Sequence, residues 1–172
     1  MIVRFTLLLA LFLIQGTLWA HEIQKPAGLV NLDGRIAPTL KLSDMDGKTT
    51  DLKDLRGQWV LVHFWATWCG PCRREMPTLQ NMQQQLKDVK ITLVLVNTAE
   101  SDDEVFSFLP TVAPELTTLM DRDGLATELW KPRGLPSSFI VDPEGRLRYL
   151  ALGGRDWAAP AYIAFLKSLI SH

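Results

Sequence analysis

The chain has 172 residues, of which 47 % are hydrophobic and 22 % are charged, and its formal net charge is −1. These proportions suit one globular domain with an appendage and provide enough apolar residues to build a core. A near-neutral chain lacks the strongly basic face that nucleic-acid binding requires, so nucleic acid is excluded as a partner.

The first twenty residues have the pattern of an export signal. Arg4 is their only charge, Phe5 to Ile14 form an apolar run, and Ala20 stands where a peptidase could cut. A membrane-spanning helix takes about 20 apolar residues, so this shorter run favours a cleaved signal peptide. Leu18 stands where a small residue is expected, which leaves an uncleaved membrane anchor as the alternative. Either way the chain is predicted to work in the periplasm, and it contacts the membrane only if residues 1–20 are retained.

A short hairpin opens the predicted domain. Residues 21–36 form a polar lead-in, marked by proline and glycine, that we predict to be loose. The domain proper, 37–170, begins with two short strands at 39–42 and 49–52. An Asp-Gly pair at 46–47 provides the turn between them.

A buried strand and a long helix follow the hairpin. The dense apolar run Trp59–Trp65 has the length of a buried strand. Apolar residues then recur at helical spacing from Met76 to Leu86, which predicts a helix over residues 69–87. Pro77 lies inside this helix, where its missing N–H and its ring predict a kink.

The second half of the chain alternates short strands and short helices. Strands are predicted over residues 91–96, 116–120, 137–141 and 147–152. Helices are predicted over residues 102–109, 125–130 and 157–170. Strand–helix–strand units imply parallel pairing, and an Asp-Pro-Glu-Gly turn at 142–145 implies an antiparallel pair. The predicted fold class is therefore α/β, a mixed central sheet with helices on both faces and an N-terminal β-hairpin extension.

The chain has two cysteines, Cys69 and Cys72, separated by two residues at the predicted start of a helix. A bridge between them closes almost no loop and adds little stability, so redox chemistry is the better reason for the pair. Free N–H groups and the helix dipole stabilise a thiolate at a helix N-terminus, which makes Cys69 the predicted nucleophile. Cys72 would then resolve the mixed disulfide. The expected redox group is the Cys69–Cys72 disulfide itself, with no further cofactor.

Half of a zinc site is the alternative interpretation of this cysteine pair. Structural zinc needs four ligands. The remaining candidates, His21, His63 and His172, are scattered along the chain. We therefore expect no metal site.

Two segments resemble a known family. Residues 64–72, Phe-Trp-Ala-Thr-Trp-Cys-Gly-Pro-Cys, resemble the active-site segment of thioredoxins. Residues 134–142, Gly-Leu-Pro-Ser-Ser-Phe-Ile-Val-Asp, resemble the cis-proline loop of that family and the strand after it. With the export signal and the hairpin, they make residues 37–170 similar to the TlpA/ResA-like (DsbE-like) branch of the thioredoxin superfamily. The resemblance implies a thioredoxin fold and a thiol–disulfide oxidoreductase.

The resemblance also implies roles for residues around the cysteine pair. Pro136 is expected to be cis and to face the pair, so that the backbone of Leu135 can pair with an extended substrate. Trp68 is expected to cover the pair and to offer apolar surface to partners. Glu75 is expected either to help move the proton of Cys72 or to be a surface residue near a helix N-terminus.

His63 departs from the family pattern. Thioredoxins proper carry a buried Asp at this place, and this branch often carries Asn. An imidazole titrates near pH 6.5, so His63 is a candidate proton carrier for Cys72. The alternative is an inert, hydrogen-bonded core histidine, which we favour because burial favours the neutral form.

The branch resemblance favours a periplasmic reductant of protein disulfides, acting in cytochrome c maturation or in metal-site assembly. Its expected partners are protein thiols and disulfides and a membrane thiol electron donor, since a reductant in an oxidising compartment must be recharged. The protein is expected to be a monomer. The alternative is a copper-binding assembly factor, but related copper carriers use a wider cysteine spacing and a histidine that residues 125–160 lack. A peroxidase ranks last, because the Pro-x-x-x-Thr-x-x-Cys pattern does not precede Cys69.

Overall fold

The computed structural model describes residues 25–170, so the predicted export signal lies outside the described residues. The strands are β1 Leu29–Asn31, β2 Lys41–Ser43, β3 Thr49–Asp51, β4 Trp59–Trp65, β5 Ile91–Thr98, β6 Thr118–Asp121, β7 Ser137–Val141 and β8 Leu147–Leu152. The α-helices are α1 Gly70–Gln85, α2 Asp102–Val112, α3 Leu125–Trp130 and α4 Pro160–Ser168. A single 3-10 turn spans Leu52–Leu55. No helix within residues 25–170 has the length and the apolar character needed to cross a bilayer.

Six strands form one mixed sheet in the spatial order β1-β8-β7-β4-β5-β6, and β2 and β3 form a separate hairpin. Strand β4 lies inside the sheet, parallel to β5 and antiparallel to β7. Strand β6 continues the parallel half, and β8 and β1 continue the antiparallel half. The predicted mixed sheet and hairpin extension are confirmed.

Alternation along β4 produces two apolar layers. Val60, Val62 and Phe64 pack on one face, in a cluster that includes residues of the hairpin and α3. Leu61 and Trp65 pack on the other face, with residues of α1, α2 and α4. His63 lies between these two along the strand and therefore shares their face, beneath α1.

Helix α1 follows the predicted periodicity. Met76, Leu79 and Met82 are buried against the sheet, and Pro77 lies inside the helix as predicted. The helix begins at Gly70, because Cys69 is extended and serves as its N-cap, and it ends at Gln85. The predicted range of 69–87 was therefore slightly too long at both ends.

The lead-in is not loose throughout, and the prediction for residues 21–36 is wrong for Leu29–Asn31. These residues form β1, which pairs with β8 so that Leu29 lies opposite Ala151. The Tyr162 hydroxyl donates to the carbonyl of Ala27 just before the strand, at 2.9 Å. A three-residue strand leaves too short a pattern in the sequence, and it is stabilised by the edge of β8 rather than by its own propensity.

Strand β1 offers a matched pair of substitutions. Leu29 is 5 % exposed, so Leu29→Ala should lower the free energy of unfolding by about 2 kcal/mol, the low end for a buried leucine. Val30 is 53 % exposed, so Val30→Ala should change it by less than about 0.5 kcal/mol. Urea unfolding of both variants measures the difference. Equal, small effects would show that β1 is not part of the folded unit.

Candidate active site

The two cysteines lie where β4 ends and α1 begins, and a disulfide joins them. Cys69 is the N-cap of α1, and its Sγ accepts a hydrogen bond from the Cys72 N–H at 3.2 Å. Cys69 is 4 % exposed and Cys72 is fully buried. Of the two cysteines, Cys69 is therefore the one that a partner can reach.

The sulfur of Cys69 occupies the place that an N-capping oxygen takes in other helices. Helices leave their first N–H groups without intrahelical partners, and Cys69 satisfies one of them. Pro71 lies in the first turn, where its missing N–H costs nothing. A thiolate formed at Cys69 on reduction would be stabilised by the same N–H and by the helix dipole.

The proline loop reaches the same edge of the sheet. The Leu135–Pro136 peptide bond is cis, as predicted. Strand β7 pairs with β4 so that Ser137 lies opposite Phe64, and the loop just before β7 is therefore level with the carboxyl end of β4. Pro136 is buried, and its carbonyl accepts from the Gly153 N–H at 2.9 Å. Pro136 therefore lies beside the end of β4, from which the chain leads to Cys69, and that Pro136 faces the cysteine pair stays a prediction.

Two tryptophans flank the turn and differ in environment. Trp68 is 70 % exposed and presents its indole to solvent directly before Cys69. It offers apolar surface, while its role as a cover for the disulfide stays a prediction. Trp65 is fully buried, and its Nε1 donates to Thr118 Oγ1 at 3.0 Å.

Glu75 is buried, so the alternative of a surface glutamate is wrong. It lies one helical turn from Cys72 on the same side of α1. Its Oε2 accepts from the backbone N–H of Arg155 at 3.0 Å. Its Oε1 lies 3.2 Å from Nε2 of His63, a contact that is close but poorly aligned for a hydrogen bond.

His63 is fully buried and contacts polar groups on both sides of its ring. Its Nδ1 lies 2.8 Å from Ser138 Oγ on β7, and its Nε2 faces Glu75. The β4–β7 register places Ser138 directly opposite His63. The sheet therefore fixes one end of the imidazole, and α1 supplies a carboxylate to the other end.

An open cleft of about 430 Å³ runs between α1 and the segment after β8, and Glu75 lines it together with Pro71 and Arg155. Glu75 therefore borders the cleft while its side chain is only 2 % exposed. Gly154 forms the opposite wall. A Cβ on Gly154 would lie 3.1 Å from Cβ and 3.2 Å from the carbonyl oxygen of Pro71, so glycine permits this close approach.

Arg155 holds the segment that binds Glu75. Its guanidinium donates to the carbonyls of Leu152 and Gly153 and to the Tyr162 hydroxyl. The segment is thereby tied to β8 and to α4, and its backbone N–H is fixed toward Glu75. Nothing in the local sequence pattern marks Arg155, because its contacts come from three separate parts of the chain.

Sequence analysis also missed a second buried carboxylate beside the cysteine turn. Glu100 follows β5, and its Oε2 accepts from the Thr67 N–H at 2.7 Å and from Asn97 Nδ2 at 2.6 Å. Its Oε1 accepts a short hydrogen bond from Thr67 Oγ1. Because β4 and β5 are parallel, their carboxyl ends meet at one edge, and a polar Asn-x-x-Glu at the end of a buried strand was a usable signal.

Two carboxyls in the first turn of α2 have perturbed pKa values. The guanidinium of Arg122 hydrogen-bonds Asp102 and lowers the pKa of that carboxyl. The backbone and hydroxyl of Ser101 hydrogen-bond Glu104 and lower the pKa of that carboxyl, which closes a capping box. Both carboxyls serve the helix and lie outside the buried cluster.

The chain matches the AhpC/TSA family over residues 34–150. The thiol-disulfide oxidoreductase ResA of Bacillus subtilis (strain 168) is 32 % identical over 121 residues, which cover 70 % of this chain and 68 % of that protein. A structure described as a thiol:disulfide interchange protein DsbE of Chlorobium tepidum matches with a TM-score of 0.69 and 32 % identity, over 83 % of this chain and 97 % of that one. The exposed lipoprotein thioredoxin of Streptococcus pneumoniae strain TIGR4 matches with a TM-score of 0.66 and 25 % identity, over 76 % and 99 %.

Proposed function

The chain belongs to the AhpC/TSA family, in its TlpA/ResA-like thioredoxin branch, and we propose that it is an exported thiol–disulfide oxidoreductase acting through Cys69 and Cys72. The observation that carries this proposal is the disulfide at the N-terminus of α1, with Cys69 as the N-cap. A bridge across two residues contributes little to stability, so its position on a thiolate-stabilising helix end is best explained by chemistry.

The proposed reaction transfers two electrons to a substrate disulfide. The thiolate of reduced Cys69 attacks one substrate sulfur; a Cys69–substrate bond forms, the substrate disulfide breaks and one substrate thiolate leaves. Cys72 then loses its proton, and its sulfur attacks Cys69 and displaces the second substrate thiolate. The Cys69–Cys72 disulfide re-forms, and an external thiol donor must reduce it before the next cycle.

Cys72 is fully buried, so its proton needs a neighbouring acceptor. Glu75 lies one turn away and lines the cleft, which is the proposed route for proton exchange between its carboxylate and solvent. The 3.2 Å contact between Nε2 of His63 and Oε1 of Glu75 supports a shared proton, because a proton can pass between a nitrogen and an oxygen at this distance. Glu75 is therefore the proposed acceptor and His63 its proton-sharing partner. Catalytic contacts are often poorly aligned before substrate binds, which suits the geometry of this pair.

The substrate-binding roles stay proposals. Leu135 is half-buried next to the cis-proline, and its backbone is the proposed partner of an extended substrate segment. The exposed indole of Trp68 is the proposed apolar contact beside the sulfur. Pro136 would then lie directly against the mixed disulfide.

The proposed direction is reduction of protein disulfides outside the cytoplasm. The apolar run behind Arg4 supports export, as does the similarity to the exposed lipoprotein thioredoxin of Streptococcus pneumoniae. Protein thiols and a membrane thiol donor are the proposed partners, and cytochrome c maturation or metal-site assembly is the proposed context.

The two cysteines should behave unequally. In the reduced protein, Cys69 should react with an alkylating reagent far faster than Cys72, because only Cys69 is reachable. Cys69→Ser should abolish reduction of a model protein disulfide such as insulin, while Cys72→Ser should accumulate mixed disulfides visible by mass spectrometry. Equal alkylation rates for the two thiols would contradict the assigned roles.

The proton step should reveal itself in a pH–rate profile for resolution by Cys72. Glu75→Gln should slow resolution by roughly 10²-fold, the low end for general acid–base catalysis. His63→Asn should remove the pH step that the shared proton produces, with a smaller loss of rate. Ser138→Ala is the matched control, since it removes a contact of His63 without removing a proton carrier. If His63→Asn changes only stability, by about 1 kcal/mol, the imidazole is packing.

Export is tested on the whole chain. The mature protein should be recovered outside the cytoplasm, with its sequence starting near His21, because residues 1–20 have the signal pattern. N-terminal sequencing measures the start. Recovery of Met1 on the exported protein would identify the segment as an anchor instead.

A further inference from the structure

We propose that Glu100 is a positioning residue for the nucleophile: its buried carboxylate fixes the turn that carries Cys69, and its negative charge disfavours the Cys69 thiolate. The proposal rests on the proposed thiol–disulfide function, and it makes the protein a stronger reductant than the helix N-terminus alone would. Glu100 lies outside the Cys-x-x-Cys motif and outside the proline loop.

The hydrogen bonds of Glu100 come from the turn itself. The carboxylate accepts from the N–H and the hydroxyl of Thr67, two residues before Cys69, and from the amide of Asn97. Every partner is a donor, which is the pattern that an ionised carboxylate satisfies. Glu100 is 6 % exposed and Asn97 is fully buried, so these bonds are shielded from water.

The backbone before Glu100 adopts a costly conformation. Ala99 has φ 55°, in the left-handed region that residues other than glycine rarely adopt. Its N–H is held by the carbonyl of Asp121 on β6, at 3.0 Å. Such strain persists where surrounding contacts over-determine it, and it concentrates at functional sites. Here it turns the chain after β5 so that Glu100 meets the end of β4.

Thr67 is also held from its other side. Nη1 of Arg73 donates to the Thr67 carbonyl at 3.3 Å, and the Arg73 guanidinium lies 4.5 Å from the ring centroid of Phe108. The N–H, hydroxyl and carbonyl of Thr67 are thus all engaged. The two residues between Thr67 and the helix have little freedom, and the sulfur of Cys69 is aimed at the N-terminus of α1.

The charge of Glu100 opposes the helix dipole. A negative charge disfavours a second negative charge nearby, and low dielectric strengthens this effect in a buried site. A less stable thiolate means a less stable reduced form, so the disulfide is favoured and electrons pass more readily to substrate. The sign is definite: removal of the charge should stabilise the thiolate and weaken the reductant.

Other charged groups surround the turn and must stay constant in the test. On α1 they are Arg73, Arg74 and Glu75. On neighbouring elements they are His63 and Arg155, which contact Glu75, and Asp121, whose carbonyl accepts from the Ala99 N–H. Glu100→Gln leaves all of them in place, and it keeps the size and shape of the side chain.

The experiment is the pH dependence of Cys69 alkylation in the reduced, full-length protein. Glu100→Gln should lower the alkylation midpoint by about one pH unit. It should also shift the equilibrium with glutathione at pH 7 toward the reduced protein, by roughly fivefold if the midpoint falls from about 7 to about 6 and by roughly twofold if it falls from about 8 to about 7. Glu104→Gln is the matched control: it lies four residues away, is solvent-exposed, and should move the midpoint by less than about 0.2 unit.

A swap variant separates charge from fold. The double variant Asn97→Asp/Glu100→Gln exchanges the amide and the carboxylate between the two side chains of this hydrogen-bonded pair. The negative charge is kept, so the alkylation midpoint of Cys69 should return toward that of the unmodified protein. Glu100→Asp keeps the charge, so its midpoint should stay within about 0.3 unit even where its stability falls. A Glu100→Gln midpoint equal to that of the unmodified protein overturns the proposal. If Glu100→Gln does not fold, a full-unit fall in Glu100→Asp overturns it. Alkylation reports Cys69 directly, so a failure of the insulin assay alone would count against the proposed function and not against this inference.

Discussion

The hydrogen bond from the Cys72 N–H to Cys69 Sγ marks the junction on which the rest of the site depends. Strand β4 is buried on both faces and ends at Trp65, and α1 begins five residues later. That short connection fixes Cys69 as the N-cap and buries Cys72 in the first turn. The register of β4 with β5 and with β7 then decides which other residues arrive at the same edge, namely Glu100 and Pro136.

Burial of titratable groups around this junction is costly, and each group has partners that offset the cost. Glu75 receives the Arg155 N–H, His63 contacts Ser138, and Glu100 receives three donors. Apolar residues of similar size would fill the same space without any desolvation penalty. Stability therefore gives no reason for two buried carboxylates and an imidazole beside one disulfide, and a role in thiol chemistry does.

The features predicted from sequence are those with a long pattern or a strong local motif. Strand β4 and helix α1 have enough residues to display their periodicity, and the cysteine pair and the proline loop are recognisable within a few residues. Strand β1 was missed because three residues show no periodicity. Glu75 was left open because a glutamate on a helix is usually exposed, and only packing against the loop at Arg155 decides otherwise. Glu100 was missed although the polar Asn-x-x-Glu at the end of β5 was a usable signal, because only the parallel register of β4 and β5 shows that it meets the cysteine turn.

The two sulfurs of the disulfide have different neighbours, and this difference affects the direction of electron transfer. Beside Cys69, the charge of Glu100 works against the thiolate that begins the reaction with substrate. Next to Cys72, Glu75 and His63 can take the proton whose loss lets that sulfur close the ring. Under the proposed roles, the charge of Glu100 destabilises the reduced protein. Proton transfer to Glu75 and His63 lowers the barrier for closing the disulfide. The first effect therefore favours the Cys69–Cys72 disulfide at the expense of a substrate disulfide, which is the direction in which a reductant works, and the second speeds the step that closes the Cys69–Cys72 bond. A helix N-terminus alone would favour the opposite direction, since it stabilises the thiolate and with it the reduced protein.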